Sequence, residues 1–70
     1  MQIKTLSAVI HREERLYVAE CPEVGTVSQG ASVEEALDNL KEATELYLEE
    51  FQVTDAGKAF LTTFDVVVTA

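Results

Sequence analysis

Only one stretch of this 70-residue chain repeats its apolar residues at helical spacing. At 100° per residue Val33, Leu37, Leu40, Thr44, Tyr47 and Phe51 gather on one side, with Ala36 and Ala43 at its margin and Leu48 near the opposite edge. Ser32-Val33-Glu34-Glu35 has the form of a capping box, in which Ser32 accepts from the third helical N–H and Glu35 reaches back to the cap. A helix therefore starts at Val33 and runs to Phe51. Its apolar stripe has to lie on something, and the rest of the chain offers β-prone segments. Ile3 to His11 is aliphatic and β-branched on both parities, and Leu16-Tyr17-Val18-Ala19-Glu20-Cys21 forms a second β-prone run beyond the polar segment Arg12-Glu13-Glu14-Arg15. No glycine marks the turn between them. Pro22-Glu23-Val24-Gly25 ends the second run and reverses the chain into Thr26-Val27-Ser28-Gln29. Past the helix, Gln52 to Lys58 reads as a connection into a fourth strand at residues 60–69.

The order βββαβ predicts one α/β domain of the α+β kind over residues 1–70, a three-stranded antiparallel meander with one helix on a face. A right-handed crossover returns the fourth strand to the edge beside the first, in strand order 3-2-1-4. One helix shields only one face of such a sheet. Strands one and four carry apolar residues on both parities, Val66, Val67 and Val68 in succession, so the second face is expected to meet another copy of the chain. A chain this short buries only about 60% of the surface exposed by its unfolded form, which also points to a homodimer or higher oligomer. Leu46 lies off the helical stripe and belongs, with Val66, Val67 and Val68, to the expected oligomer interface.

Thirteen acids against five bases give a net charge of −8, which repels nucleic-acid phosphates and anionic membranes. The charge is concentrated. Residues 32–50 hold seven acids and one base, for −6, while residues 1–31 and 51–70 hold −1 each. Glu34, Asp38, Glu42, Glu45 and Glu49 lie within an arc of about 80° opposite the apolar stripe. Neighbours four apart repel, and Lys41 alone offers relief. Solubility is one reason to carry such a band. A landing surface for a basic protein is the sharper one.

Sites of chemistry are sparse. His11 has no recognisable nucleophile or orienting acid, and the single cysteine, Cys21, has no cluster with metal spacing and reads as a small core residue. Ser28-Gln29-Gly30 precedes a helix N-terminus, but Glu34 and Glu35 already occupy that positive end, so a turn-and-cap role is expected there. Glu20, Glu45 and Asp65 do not converge under helix and strand periodicities, so no metal and no cofactor is expected. Neither a run of about 18 apolar residues nor a signal-peptide core occurs, which fits a cytoplasmic location.

Taken together, Tyr17-Val18-Ala19-Glu20-Cys21-Pro22-Glu23-Val24-Gly25-Thr26-Val27-Ser28-Gln29-Gly30, the helix start Ser32-Val33-Glu34-Glu35-Ala36-Leu37-Asp38-Asn39-Leu40-Lys41-Glu42-Ala43 and the later Leu46-Tyr47-Leu48-Glu49 resemble the HicB-like antitoxin family over about half the chain. The resemblance implies a partial ribonuclease-H-like fold lacking that enzyme's catalytic carboxylates. It also implies a non-enzymatic antitoxin that neutralises HicA, a small basic toxin that cleaves messenger RNA. Longer family members add a helix-turn-helix or ribbon-helix-helix module for operator binding. Here the chain reaches Ala70 directly after the fourth strand, so no C-terminal DNA-binding module is expected. Charge placement nominates Asp38, Glu42, Glu45 and Glu49 as contacts with the basic partner. The alternative is an orphan oligomeric scaffold or small-ligand module with no toxin.

Overall fold

The structure is a computed structural model that describes residues 3–51 and 60–69. Three strands, β1 (Val9–Glu13), β2 (Leu16–Cys21) and β3 (Thr26–Gly30), precede one helix, α1 (Val33–Glu50). The strands form an antiparallel sheet in the order β1-β2-β3, with Val9 opposite Glu20 and Cys21 opposite Thr26. The α+β architecture and the meander agree with the sequence.

Local chemistry sets each boundary. The first hairpin closes through Glu14-Arg15 alone, and Glu14 takes the left-handed region at φ 53° in place of a glycine. Arg12 fastens this turn: its Nε donates to the Glu14 carbonyl at 3.1 Å, and its guanidinium lies 5.9 Å from the centre of the Tyr17 ring. At the second reversal the N–H groups of Val24 and Gly25 both donate to the Cys21 carbonyl, and Gly25 adopts φ 92°. The helix is capped as expected, with Glu35 N–H donating to Ser32 Oγ at 3.1 Å. The Glu35 carboxylate reaches one residue further than the cap and accepts from Ala31 N–H at 3.0 Å.

The first strand differs from the expected Ile3 to His11. It starts at Val9, because β2 gives way to Pro22 just after Cys21 and leaves earlier residues no partner strand. Ser7 N–H turns instead to the Glu23 carboxylate, at 3.0 and 3.1 Å. At its other end β1 runs on through Arg12 and Glu13, which pair with Tyr17 and Leu16. The larger departure lies past the helix: residues 60–69 carry no strand, so the expected order 3-2-1-4 is realised as 3-2-1. A strand that is apolar on both parities needs cover on both faces, and α1 lies on β3 and β2 while barely reaching β1. The connection expected from Gln52 to Lys58 lies outside the described residues.

Ala19, Cys21, Ala36 and Leu40 form the buried core, ringed by partly buried Leu6, Ala8, Ile10, Tyr17 and Val24. Burying a side chain such as Leu40 contributes about 2 kcal/mol. Helix and sheet approach most closely at Gly30, where an added Cβ would lie 2.5 Å from the Ala36 backbone nitrogen. Further along, Thr44 is buried and its Oγ1 lies 2.7 Å from Thr26 Oγ1, a hydroxyl pair that satisfies both groups. The helix stripe is therefore covered at Ala36, Leu40 and Thr44, while Val33, Leu37, Tyr47 and Phe51 stay half exposed at its edges.

Candidate functional site

The helix presents its acids outward. Glu34, Asp38, Glu42, Glu45 and Glu49 are all exposed, on the side away from buried Ala36, Leu40 and Thr44. Ser32 and Glu35 fix where the helix begins, and Gly30 lets it sit hard against β3, so the band is carried on a well-seated element. Lys41 Nζ reaches Glu45 Oε2 at 3.7 Å between two exposed side chains. No other cation pairs with the band among the described residues. Three repulsive spacings, Glu34 with Asp38, Asp38 with Glu42 and Glu45 with Glu49, cost about 1 kcal/mol together. The last turn holds no basic residue, so Glu49 and Glu50 also face the negative end of the helix dipole.

Asp38, Glu42, Glu45 and Glu49 are thus brought together on one surface. Of the expected oligomer residues, Leu46 is 57% exposed on the flank of the helix, and Val66, Val67 and Val68 are exposed in the segment 60–69.

Sequence reasoning missed two polar devices. Glu23 anchors the chain ahead of β1 through Ser7, and hydrogen bonding by Ser7, its hydroxyl foremost and its backbone N–H behind, holds the Glu23 carboxyl below the ordinary carboxylate range. Asn39 Nδ2 donates to the Gln29 carbonyl at 2.8 Å, tying the helix to the outer edge of β3. Neither residue type signals its partner, because both contacts depend on how the sheet and helix meet.

The remaining chemistry is thin. Cys21 is buried in the core, and burial, foremost, pushes its thiol up, with the nearby Glu23 carboxylate adding to the shift. His11 is exposed, with Nε2 3.4 Å from Glu13 Oε1. Among the described residues no three His, Cys, Asp or Glu side chains converge as metal ligands, and no helix is long and apolar enough to cross a membrane. A depression of about 420 Å³ beside Glu13, Glu14 and Leu16 is open to solvent.

No family model matches the chain, and no solved structure matches it. A protein of Helicobacter pylori strain J99 described as a UPF0150 protein is 49% identical to it over 51 residues, which is 71% of each chain. Identity of that level over more than two thirds of both chains is a family relationship, and the chain belongs to the UPF0150 family.

Proposed function

We propose that this protein is a HicB-like antitoxin that acts without catalysis, occupying the cationic RNA-binding surface of a small basic HicA-type ribonuclease. The observation that carries the reading is the exposed band of Asp38, Glu42, Glu45 and Glu49 on a firmly capped helix. The band weakens the helix that bears it, and only one of its members has an ion-pair partner among the described residues. Carboxylates spaced along a rigid rod can stand in for phosphates, speed encounter with a cation-rich partner and disfavour acidic ones. The resemblance of the segment from Tyr17 to Glu49 to HicB-like antitoxins supports this assignment. A cytoplasmic site of action, where messenger RNA is cleaved, belongs to the same proposal, as does the partial ribonuclease-H-like fold, which requires segment 60–69 as a strand beside β1.

A second reading, an oligomeric scaffold or small-ligand module, is favoured by the exposed apolar side chains of Leu46, Val66, Val67 and Val68.

The test asks first whether a neighbouring reading frame encodes a small basic protein, and then uses that protein in a messenger-RNA cleavage assay and in stopped-flow association; a neighbourhood without one counts against the reading. The wild type is expected to inhibit at one-to-one stoichiometry. Asp38→Lys with Glu49→Lys is expected to slow association at least roughly tenfold at low salt, a gap that closes as the Debye length shrinks from about 10 Å at 0.1 M to about 3 Å at 1 M. The same pair replaces like-charged neighbours with opposite ones and so raises helix stability by about 1 kcal/mol, which separates lost binding from lost folding. Association unchanged by the double reversal refutes the electrostatic role.

A further inference from the structure

Residues 60–69 form the most β-prone stretch of the chain: every residue except Leu61 and Asp65 is β-branched or aromatic. All ten are nevertheless exposed, Phe60 at 92% and Val67 at 97%, and none joins the sheet. Alternate residues Phe60, Thr62, Phe64, Val66 and Val68 make one face of the segment almost wholly apolar. Six large apolar side chains, Phe60, Leu61, Phe64, Val66, Val67 and Val68, are bared within these ten residues, an exposure of the kind that marks an interaction surface.

The sheet has one edge fit to receive such a strand. The two-residue turn makes Glu13 and Leu16 a hydrogen-bonded pair, so Val9, His11 and Glu13 spend their backbone groups on β2. Ile10 and Arg12 then present N–H and C=O to the outside, and the chain before β1 continues that edge past Ala8 and Leu6. At the other edge of the sheet the Gln29 carbonyl is already taken by Asn39. Leu6, Ala8 and Ile10 are only partly buried, and α1 barely reaches β1, so the core is open on this side.

From these observations we infer that residues 60–69 of one chain pair with the outer edge of β1 in a second copy, each chain lending its arm to the other about a two-fold axis. One feature favours a second copy over the chain's own edge, and two more are compatible with it. The radius of gyration, 14.4 Å, exceeds the roughly 11 Å of a compact chain of this length, because the arm reaches away from its own core. Two reciprocal arms with the surfaces they cover bury on the order of 2,000 Å², enough for a stable dimer. The charge also permits it: residues 3–13 hold Lys4 and Arg12 against Glu13, for +1, the arm holds only Asp65, for −1, and the −6 helices need not meet. The inference does not depend on the toxin reading.

Sedimentation equilibrium of the full chain gives the mass, and Val66→Pro removes an arm N–H and fixes its φ. The expected result is a wild-type dimer whose dissociation constant rises on the order of 100-fold in Val66→Pro, with the far-UV helix signal of each protomer retained because no arm residue is a strand of its own sheet or buried in its core. In an equal mixture of isotope-labelled and unlabelled chains, filtered nuclear Overhauser spectra are expected to connect Phe64 and Val66 to Leu6, Ala8 or Ile10 of the other chain. A monomer at all concentrations, a dimer indifferent to Val66→Pro, or contacts confined to one chain overturns the proposal.

Discussion

Gly30→Ala should cost this fold more than its size suggests. The added methyl would lie 2.5 Å from the Ala36 nitrogen, 2.8 Å from the Glu35 carbonyl carbon and 2.9 Å from Glu35 Cβ, and two of those three atoms are backbone. Backbone in the first turn of a capped helix cannot swing aside as a side-chain tip can, so the helix has to lift from β3. Overpacking of this kind costs about 1–3 kcal/mol, against which the stiffer unfolded chain returns roughly 0.4–1 kcal/mol. A net loss of about 1–2 kcal/mol is a large share of the roughly 3.5–10 kcal/mol that holds a chain of this length together. It lowers the melting temperature by about 4–16 °C, read by circular dichroism at 222 nm with protein concentration held fixed. Gly25 supplies the contrast, since it has φ 92° and nothing within 4 Å of a built Cβ. Asn at position 25, which tolerates the left-handed region, is expected to recover most of the stability lost to Ala there, whereas Asn at position 30 is no better than Ala. Because the obstacle is the nitrogen and not the methyl of Ala36, adding Ala36→Gly rescues nothing. A Gly30→Ala protein that melts with the wild type, or is restored by Ala36→Gly, refutes the close-approach explanation.

Two further outcomes follow from the polar contacts. Thr44→Val strands the Thr26 hydroxyl beside the helix and is expected to cost about 1–3 kcal/mol, while Thr26→Val with Thr44→Val is nearly neutral; urea unfolding of the two singles and the double measures the coupling. The folded Glu23 carboxyl titrates below its unfolded value of about 4.3, so its contribution is complete above that pH and disappears as pH falls through the lower folded value. The protection of the Ser7 amide, its exchange rate compared with that of an unstructured amide at the same pH, should therefore fall in that acid window in the wild type and be small at every pH in Glu23→Ala.

The elements with a local cause were legible in the sequence. Ser32 and Glu35 signal the helix start through hydrogen bonds that need only three residues of chain, and Pro22 with Gly25 signals a reversal through backbone angles. The exposed acidic band follows from the same helical spacing. What escaped were features decided at a distance. The first turn carries Glu14 at positive φ without a glycine because Arg12 and the strand register hold it. Residues 3–8 read as strand by composition, yet a strand is a pairing, and Pro22 removes the partner. The same limit applies to residues 60–69, whose composition specifies an extended partner-seeking segment without saying which edge it takes.

Charge decides which self-association this chain can tolerate. With −6 on each helix, two helices brought within roughly 10 Å repel by about 4 kcal/mol at physiological salt, from Coulomb's law in water reduced by a Debye length of about 8 Å. At roughly 30 Å the same pair repels by about 0.1 kcal/mol. A dimer joined through α1 would therefore lose much of its apolar gain at ordinary salt, and it would cover the carboxylate band that the proposed function leaves open to a basic partner. Exchange through residues 60–69 and the β1 edge escapes both penalties, since its own surfaces carry +1 and −1. Salt then separates the two interfaces by sign: raising it from 0.1 to 1 M leaves an arm-exchanged dimer nearly unchanged, strengthens any dimer built on the helices, and weakens capture of a cationic ribonuclease.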